Sequence, residues 1–314
     1  MIKLKRYVRN PIITPIPEHE WEAKATFNPT AIYLDNKIHI IYRAMAEDNT
    51  STMGYAVSKD GYTISERLPR PIYVPRIKEE KKTTDDGHSG CEDGRITRVG
   101  DKLYICYTAF NGNGPTRIAM SSITINDFLN RNWNWSKPKL ISPPGIDDKN
   151  SCIIPNMKDG KYGIFHRIYP CIWIDFVDDL EFKEKRWIKG SAWFKPRTDK
   201  WDSRKLGIAA APIKTDAGWL LLYHAITQAD RHYRVGAMLL KSDDPTQVIA
   251  RSNEPILEPR LRYELSGDVN NVVYPCGAVD VEGTLYVYYG GADRVTGVAA
   301  VKTNKLLYQL TNQG

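Results

Sequence analysis

Apolar residues along this chain fall at alternate positions in short runs, and the runs are separated by two- or three-residue turn signals, with little helical period between them. The signals Asp35-Asn36, Gly100-Asp101, Asp159-Gly160, Asp216-Ala217-Gly218 and Glu282-Gly283 each stand between two strand-like runs. They recur at roughly 60-residue intervals, which marks an internal repeat. The spacing predicts five hairpins: 30–34 with 38–42, 95–99 with 103–107, 153–157 with 162–166, 208–214 with 219–224, and 272–279 with 285–289. A third run follows each, at 53–58, 117–123, 172–176, 233–241 and 296–301. The unit is therefore three or four antiparallel strands. Only 125–132 carries even a short helical pattern, which excludes a parallel βαβ architecture.

Five such sheets packed radially around an axis would protect their edges and consume the whole chain. The expected fold is all-β, a five-bladed β-propeller forming one domain over residues 1–314. A sandwich or a pair of β domains gives no reason for the fivefold period. The stretch 77–90, charged and then rich in Thr, Asp, Gly and Ser, reads as a long surface loop overhanging a site.

Composition narrows the class without changing the fold. With 314 residues, 42% hydrophobic and 26% charged, the chain has a core to bury, and this excludes a disulfide-stapled miniprotein and wholesale disorder. The 44 Lys and Arg exceed the 37 Asp and Glu by seven. The surplus should attract anions, but its scattering argues against a nucleic-acid or membrane partner. No run approaches a membrane span, and no apolar segment follows the basic N-terminus, so a cytoplasmic location is expected. Five cysteines without C-x-x-C spacing suggest buried thiols in a reducing compartment and no metal site.

The start of a hairpin's first strand and the end of its second lie at the same end of the sheet. That rule gathers Asn28, Asp93, Lys149 with Asn150, and Asp268 with Asn270 and Asn271 on one face. It adds Arg43, Asn111, His166 with Arg167, His224 and Asp293 to the same face. An adjacent carboxylate pair (Glu92-Asp93), several cations, a histidine and amides suit a polar, anion-handling pocket. Singly, each has an ordinary reading: Arg43 as a strand-closing ion pair, His224 as a satisfied core histidine, Asp93 beside Gly94 as a turn aspartate. Trp133, Trp135, Tyr169, Trp173, Trp193, Tyr233, Tyr263 and Tyr274 lie in or beside the same loops, where they either pack between blades or stack on a sugar.

At Cys91-Glu92-Asp93-Gly94-Arg95-Ile96-Thr97 the chain resembles glycoside hydrolase family 130, five-bladed propeller enzymes that are mostly inverting β-mannoside phosphorylases. Similar stretches are Phe27-Asn28-Pro29, Tyr42-Arg43-Ala44, Asp148-Lys149-Asn150, His166-Arg167, Gly218-Trp219 leading to Tyr223-His224, Asp244-Pro245, Tyr263-Glu264, Asn271-Val272-Val273 and Tyr288-Tyr289-Gly290-Gly291-Ala292-Asp293. The resemblance implies that Asp93 is the general acid. It implies that Lys149, Arg167, His224 and Tyr233 hold inorganic phosphate, and that Asn28, Arg43 and Asp293 bind the mannosyl unit, with Glu264 as a further sugar contact; a protonated His224 would join Lys149 and Arg167 as the cations clustered around that phosphate. Phosphate would then be a co-substrate, its attack on C1 of a short β-1,4- or β-1,2-mannoside releasing α-mannose 1-phosphate, with no other cofactor and no metal. A homo-oligomer is compatible with the resemblance.

Three departures stand out: Gly94 where the motif usually has Pro, Ala225 where Gly follows the histidine, and Ala209-Ala210-Ala211 in place of a Gly-rich stretch. They are expected to free the catalytic turn and reshape the acceptor side. Two other readings remain at this point, an inverting hydrolase in which Asp268, Glu264 or Asp293 activates water, and a glycan-binding propeller without catalysis.

Overall fold

The computed structural model describes residues 2–155, 160–183 and 186–312, so Met157 and Asp159 of the third anticipated hairpin lie outside the described residues. The fold is all-β, built from antiparallel meanders with a few short helices. The largest sheet has two meander halves. One runs Ala25–Leu34, Lys37–Met45, Thr50–Ser58 and Ile64–Arg67, the other Ser89–Val99, Lys102–Phe110, Arg117–Thr124 and Lys139–Leu140. A short parallel pairing, Thr50 with Ser89 and Ser51 with Gly90, joins them.

Three further sheets follow along the chain. Asp148–Ile154, Tyr162–Ile168, Cys171–Val177 and Ser191–Phe194 form the first. Lys205–Ile208, Gly218–Ile226, Arg234–Leu240 and Val248–Arg251 form the second, with Ile213–Thr215 also pairing on Gly218–Ile226. The last comprises Val273–Val281, Thr284–Gly291 and Val295–Lys302, and its outer edge is completed by the N-terminal strand Lys5–Arg6.

The leading strands of these units pack on one another. Ile96 N–H donates to Thr30 Oγ1 at 3.0 Å, and Thr97 Oγ1 to the Ile153 carbonyl at 3.3 Å. A Cβ on Gly277 would sit 2.4 Å from Ala31 N, so only glycine permits that approach.

All five anticipated third runs are strands. The first strands differ more from expectation: the runs expected from residues 30 and 95 begin at Ala25 and Ser89. Each contains a β-bulge that interrupts the period-two alternation. The register shifts between Phe27 and Thr30, Glu92 and Arg95, and Lys149 and Cys152. In each bulge one non-glycine residue is left-handed: Asn28 (φ 48°), Asp93 (φ 54°) and Asn150 (φ 56°). A bulge re-aims a side chain without ending the strand, and an alternation pattern reads it as the strand's beginning.

Of the helices, Ile125–Leu129 was expected. Thr303–Thr311, which buries Leu306 and Leu310 against the last sheet, was not. The fourth hairpin's first strand is split by 209–212. The loop 77–90 is less of a surface loop than expected, because fully buried Glu80 anchors it, accepting from Tyr107 and from the backbone N–H groups of Arg76 and Ile77.

Candidate active site

The bulges turn Asn28, Asp93 and Asn150 inward at one end of the packed leading strands. Asp93 Oδ1 accepts from Asn28 Nδ2 at 2.9 Å and from Arg43 Nη1 at 3.3 Å. Arg43 also binds Glu92 (Nη2 to Oε1, 2.8 Å) and Ser51 (Nε to Oγ, 2.9 Å), and its guanidinium lies 4.8 Å over the Phe27 ring. These partners explain why Arg43 is buried yet strongly charged: Glu92, Asp93 and Asp293 hold its pKa up against burial, which opposes them.

A cleft of about 670 Å³ opens above this group. Arg43, Glu92, Lys149, Asp293, Phe27, Phe110, His88 of the overhanging loop, and the Lys24–Asp268 pair at 3.6 Å are among its lining residues. Burial, with Asp93, Asp268 and Glu92 adding to it against the opposing pull of Arg43, pushes the Asp293 carboxyl up to about 7. The acidic end of the cleft therefore retains a proton near neutral pH.

The other end is cationic. Lys149, Arg167 and Lys205 have no carboxylate within ion-pair distance among the described residues, and Arg167 Nε is buried without a hydrogen-bond partner. Burial, and then the charges of Arg167, Lys149 and Arg204, bring the Lys205 ammonium down to about 8. Lys205 Nζ donates to Tyr233 OH at 2.6 Å. The His224 ring lies 4.3 Å from that of Tyr274 and 5.9 Å from that of Tyr233. Burial, then Arg95, Arg167 and Lys205, push the His224 pKa well down. The direction favours the neutral ring, against the expectation of a protonated His224, and its buried Nδ1 has no hydrogen-bond partner among the described residues. Buried donors beside clustered cations suit an anion.

Asp93, Arg43, Asn28, Asp293, Lys149, Arg167, His224 and Tyr233 thus converge. Glu264 does not. It is fully buried, takes Arg6 Nε at 2.7 Å and Nη2 at 2.9 Å, and accepts from Tyr289 OH at 2.8 Å and from the Arg260 N–H at 2.7 Å. Its lone pairs are spent on fastening the N-terminal strand, and none faces the cleft.

Most of the aromatic candidates are structural as well. Trp133 and Trp135 pack with Phe128 and Tyr73, Trp193 stacks on Phe165, and Tyr263 bonds Tyr289. Phe27 and Phe110 are the rings that line the cleft. Sequence reasoning missed Lys205. Its position at the head of Lys205–Ile208, beside the His224 strand, was the available signal.

Ala225 is fully buried among Leu206 and its neighbours, and Gly94 lies within a strand where a Cβ would press on Ile105 Cδ1 at 2.7 Å.

A family model described as beta-1,4-mannooligosaccharide phosphorylase matches residues 4–312. A beta-1,2-mannobiose phosphorylase of Thermoanaerobacter sp. (strain X514) is 40% identical, over 98% of this chain and all of its own length. A 1,2-beta-oligomannan phosphorylase of the same strain is 39% identical, with the same coverage. Among solved structures, the beta-1,2-mannobiose phosphorylase of Listeria innocua in complex with beta-1,2-mannobiose superposes with a TM-score of 0.82, at 26% identity, over 99% of this chain and all of that one. Motif order, architecture and full-length similarity agree, and the chain belongs to glycoside hydrolase family 130, the β-mannoside phosphorylases.

Proposed function

We propose that the protein phosphorolyses short β-mannosides with inversion. The reading is supported chiefly by the trio Lys149, Arg167 and Lys205, none of them within ion-pair distance of a carboxylate among the described residues although Asp147 acts on all three from further off, and set against the acidic group of Asp93 and Asp293. In an inverting hydrolase a second carboxylate activates water. Here a phosphate held by the cations and Tyr233, with neutral His224 offering a hydrogen bond, is itself the nucleophile. An oxygen of phosphate bonds to C1 of the mannosyl unit as the C1–O glycosidic bond breaks. The departing oxygen takes a proton delivered by Asp93 through a hydroxyl of the same mannose, and the product is α-mannose 1-phosphate. Arg43, Asn28 and Asp293 hold that sugar. Arg167 can grip two phosphate oxygens, whereas the lysines supply point charges.

A β-1,2 linkage is favoured by the two Thermoanaerobacter relatives, both named for β-1,2 substrates, although the family model's description names β-1,4. The fold we assign is a single domain of five blades, the large sheet counting as two. The five unpaired thiols support a reducing, cytoplasmic setting.

Two measurements test the reading. Cleavage of β-1,2-mannobiose is expected to require phosphate; equal turnover in phosphate-free buffer points instead to hydrolysis, with Asp268 or the elevated Asp293 serving water. Asp93→Asn is expected to reduce kcat by about a thousandfold or more, and a fully active variant would remove Asp93 from the acid role. Reverse synthesis from α-mannose 1-phosphate and mannose identifies the linkage made.

A further inference from the structure

Between the acidic and cationic ends of the cleft, but beneath its floor, lies Arg95, a guanidinium only 1% exposed. It makes no ion pair among the described residues. Nη1 donates to the backbone carbonyl of Asp93 at 2.8 Å, Nη2 to that of Ile208 at 2.8 Å, and Nε to those of Ile208 and Ala209, each at 3.2 Å. The Asp93 carboxylate acts on the charge from beyond ion-pair distance, and its other neighbours are the Cys152 and Cys276 thiols, which burial keeps protonated, Tyr274, and His224.

A buried cation without a direct ion pair is costly to desolvate, and a neutral side chain could cap these carbonyls at a lower cost. Position explains its use. One end of Arg95 grips the left-handed residue that bears the acid. The other grips the strand Lys205–Ile208, which begins with Lys205 and pairs Gly207 with His224. The side chain is thus a strut between the part of the site that protonates and the part that holds phosphate, and its charge lies under a pocket suited to an anion.

We propose that Arg95 is a positioning residue that sets the separation of Asp93 from the phosphate-holding strand and whose buried charge strengthens phosphate binding, an inference that rests on the phosphorolysis reading above. It acts through Asp93, Lys205 and His224 and never touches substrate. Small errors in the approach of nucleophile and acid are expensive in rate, and a charge held in no direct ion pair acts at longer range in a dry interior than in water.

The test uses the full chain with β-1,2-mannobiose and inorganic phosphate, comparing Arg95→Lys with Arg95→Gln. Both are expected to lower kcat by about tenfold or more and to raise the KM for phosphate, with the KM for mannobiose within about twofold of the unaltered enzyme. Arg95→Lys, which keeps the charge, should retain a phosphate KM several-fold lower than Arg95→Gln. A purely structural role would not produce that ordering.

Unaltered kinetics in both variants would overturn the proposal. So would activity lost only in proportion to the folded fraction with both KM values unchanged, or failure of both variants to fold, which would make Arg95 a scaffold residue alone. Phosphate-independent turnover by the unaltered enzyme would overturn the reaction assignment, and this inference with it.

Discussion

Lys205 holds a proton near pH 7 and loses it as the pH rises through about 8. If its charge helps bind phosphate, kcat/KM for phosphate should fall above pH 8, because that ratio reports ionisations of the free enzyme and free substrate. Lys205→Met should raise the phosphate KM about tenfold or more and abolish this limb. His224, its pKa pushed down by burial, is expected to add no limb near neutral pH. Asp293 makes a different claim, about stability. Its carboxyl ionises near the ordinary 3.8 when unfolded and at about 7 in the fold. Between those values the native state binds more protons than the unfolded one, so stability contributed by Asp293 is lost as pH rises from about 4 to about 7. Asp293→Asn should therefore melt higher than the unaltered protein at pH 8, by about 1–2 kcal/mol, and the difference should vanish towards pH 4. Glu264→Gln separates structure from binding. It leaves Arg6 short of a charged partner and should cost about 2–3 kcal/mol while leaving the KM for mannobiose unchanged, whereas a sugar contact would raise that KM. Asp93 and Arg43 were legible in the sequence because a dense motif surrounds them. Lys205 was not, since Arg204-Lys205-Leu206 has no spacing of its own. Glu264 misled because its motif gave no sign that Arg6, 258 residues away, would occupy it.

At the level of elements, the decisive local event is the β-bulge. Three leading strands use the same device, two residues set against the ladder with the first in the left-handed region, to aim Asn28, Asp93 and Asn150 at one place. Alternation found the outer strands well because their inward and outward faces are regular. It shortened the leading strands because a bulge reverses the alternation at the residue that matters functionally. The helix Thr303–Thr311 escaped detection because it shows only Leu306, Leu307 and Leu310 in an otherwise polar segment. Close strand packing also sets the cationic end. A Cβ on Gly207 would lie 2.3 Å from His224 Nε2 and 2.6 Å from Asn150 Oδ1. Gly207→Ala should displace the imidazole and raise the phosphate KM by about tenfold or more, with a smaller change in the KM for mannobiose. Equal effects on both would place the collision elsewhere.

Across the whole molecule, the chain's two ends are fastened to each other. Lys5–Arg6 pairs with Val295–Lys302, Arg6 reaches Glu264, and Asn10 Nδ2 donates to the Val298 carbonyl at 2.8 Å. Deleting residues 2–8 should expose an edge of the last sheet and lower the melting temperature by several degrees, about what a loss of 2–4 kcal/mol produces in a chain of this size. No helix among the described residues is long and apolar enough to cross a membrane. The excess of seven positive charges acquires a partial location, because Lys149, Arg167 and Lys205 gather at one end of one cleft while Arg95 lies below it. Cys91, Cys106, Cys152 and Cys276 are buried, and only Cys171 is partly exposed. Cys171 opens the strand that follows Tyr162–Ile168, so it stands at the same end of that sheet as Arg167. A thiol-directed dye applied at mildly alkaline pH, to overcome the raised pKa of Cys171, would therefore mark the native protein at one place. The protein carries its own attachment point for a fluorescent reporter with which the proposed phosphate binding can be tested, with no cysteine added or removed.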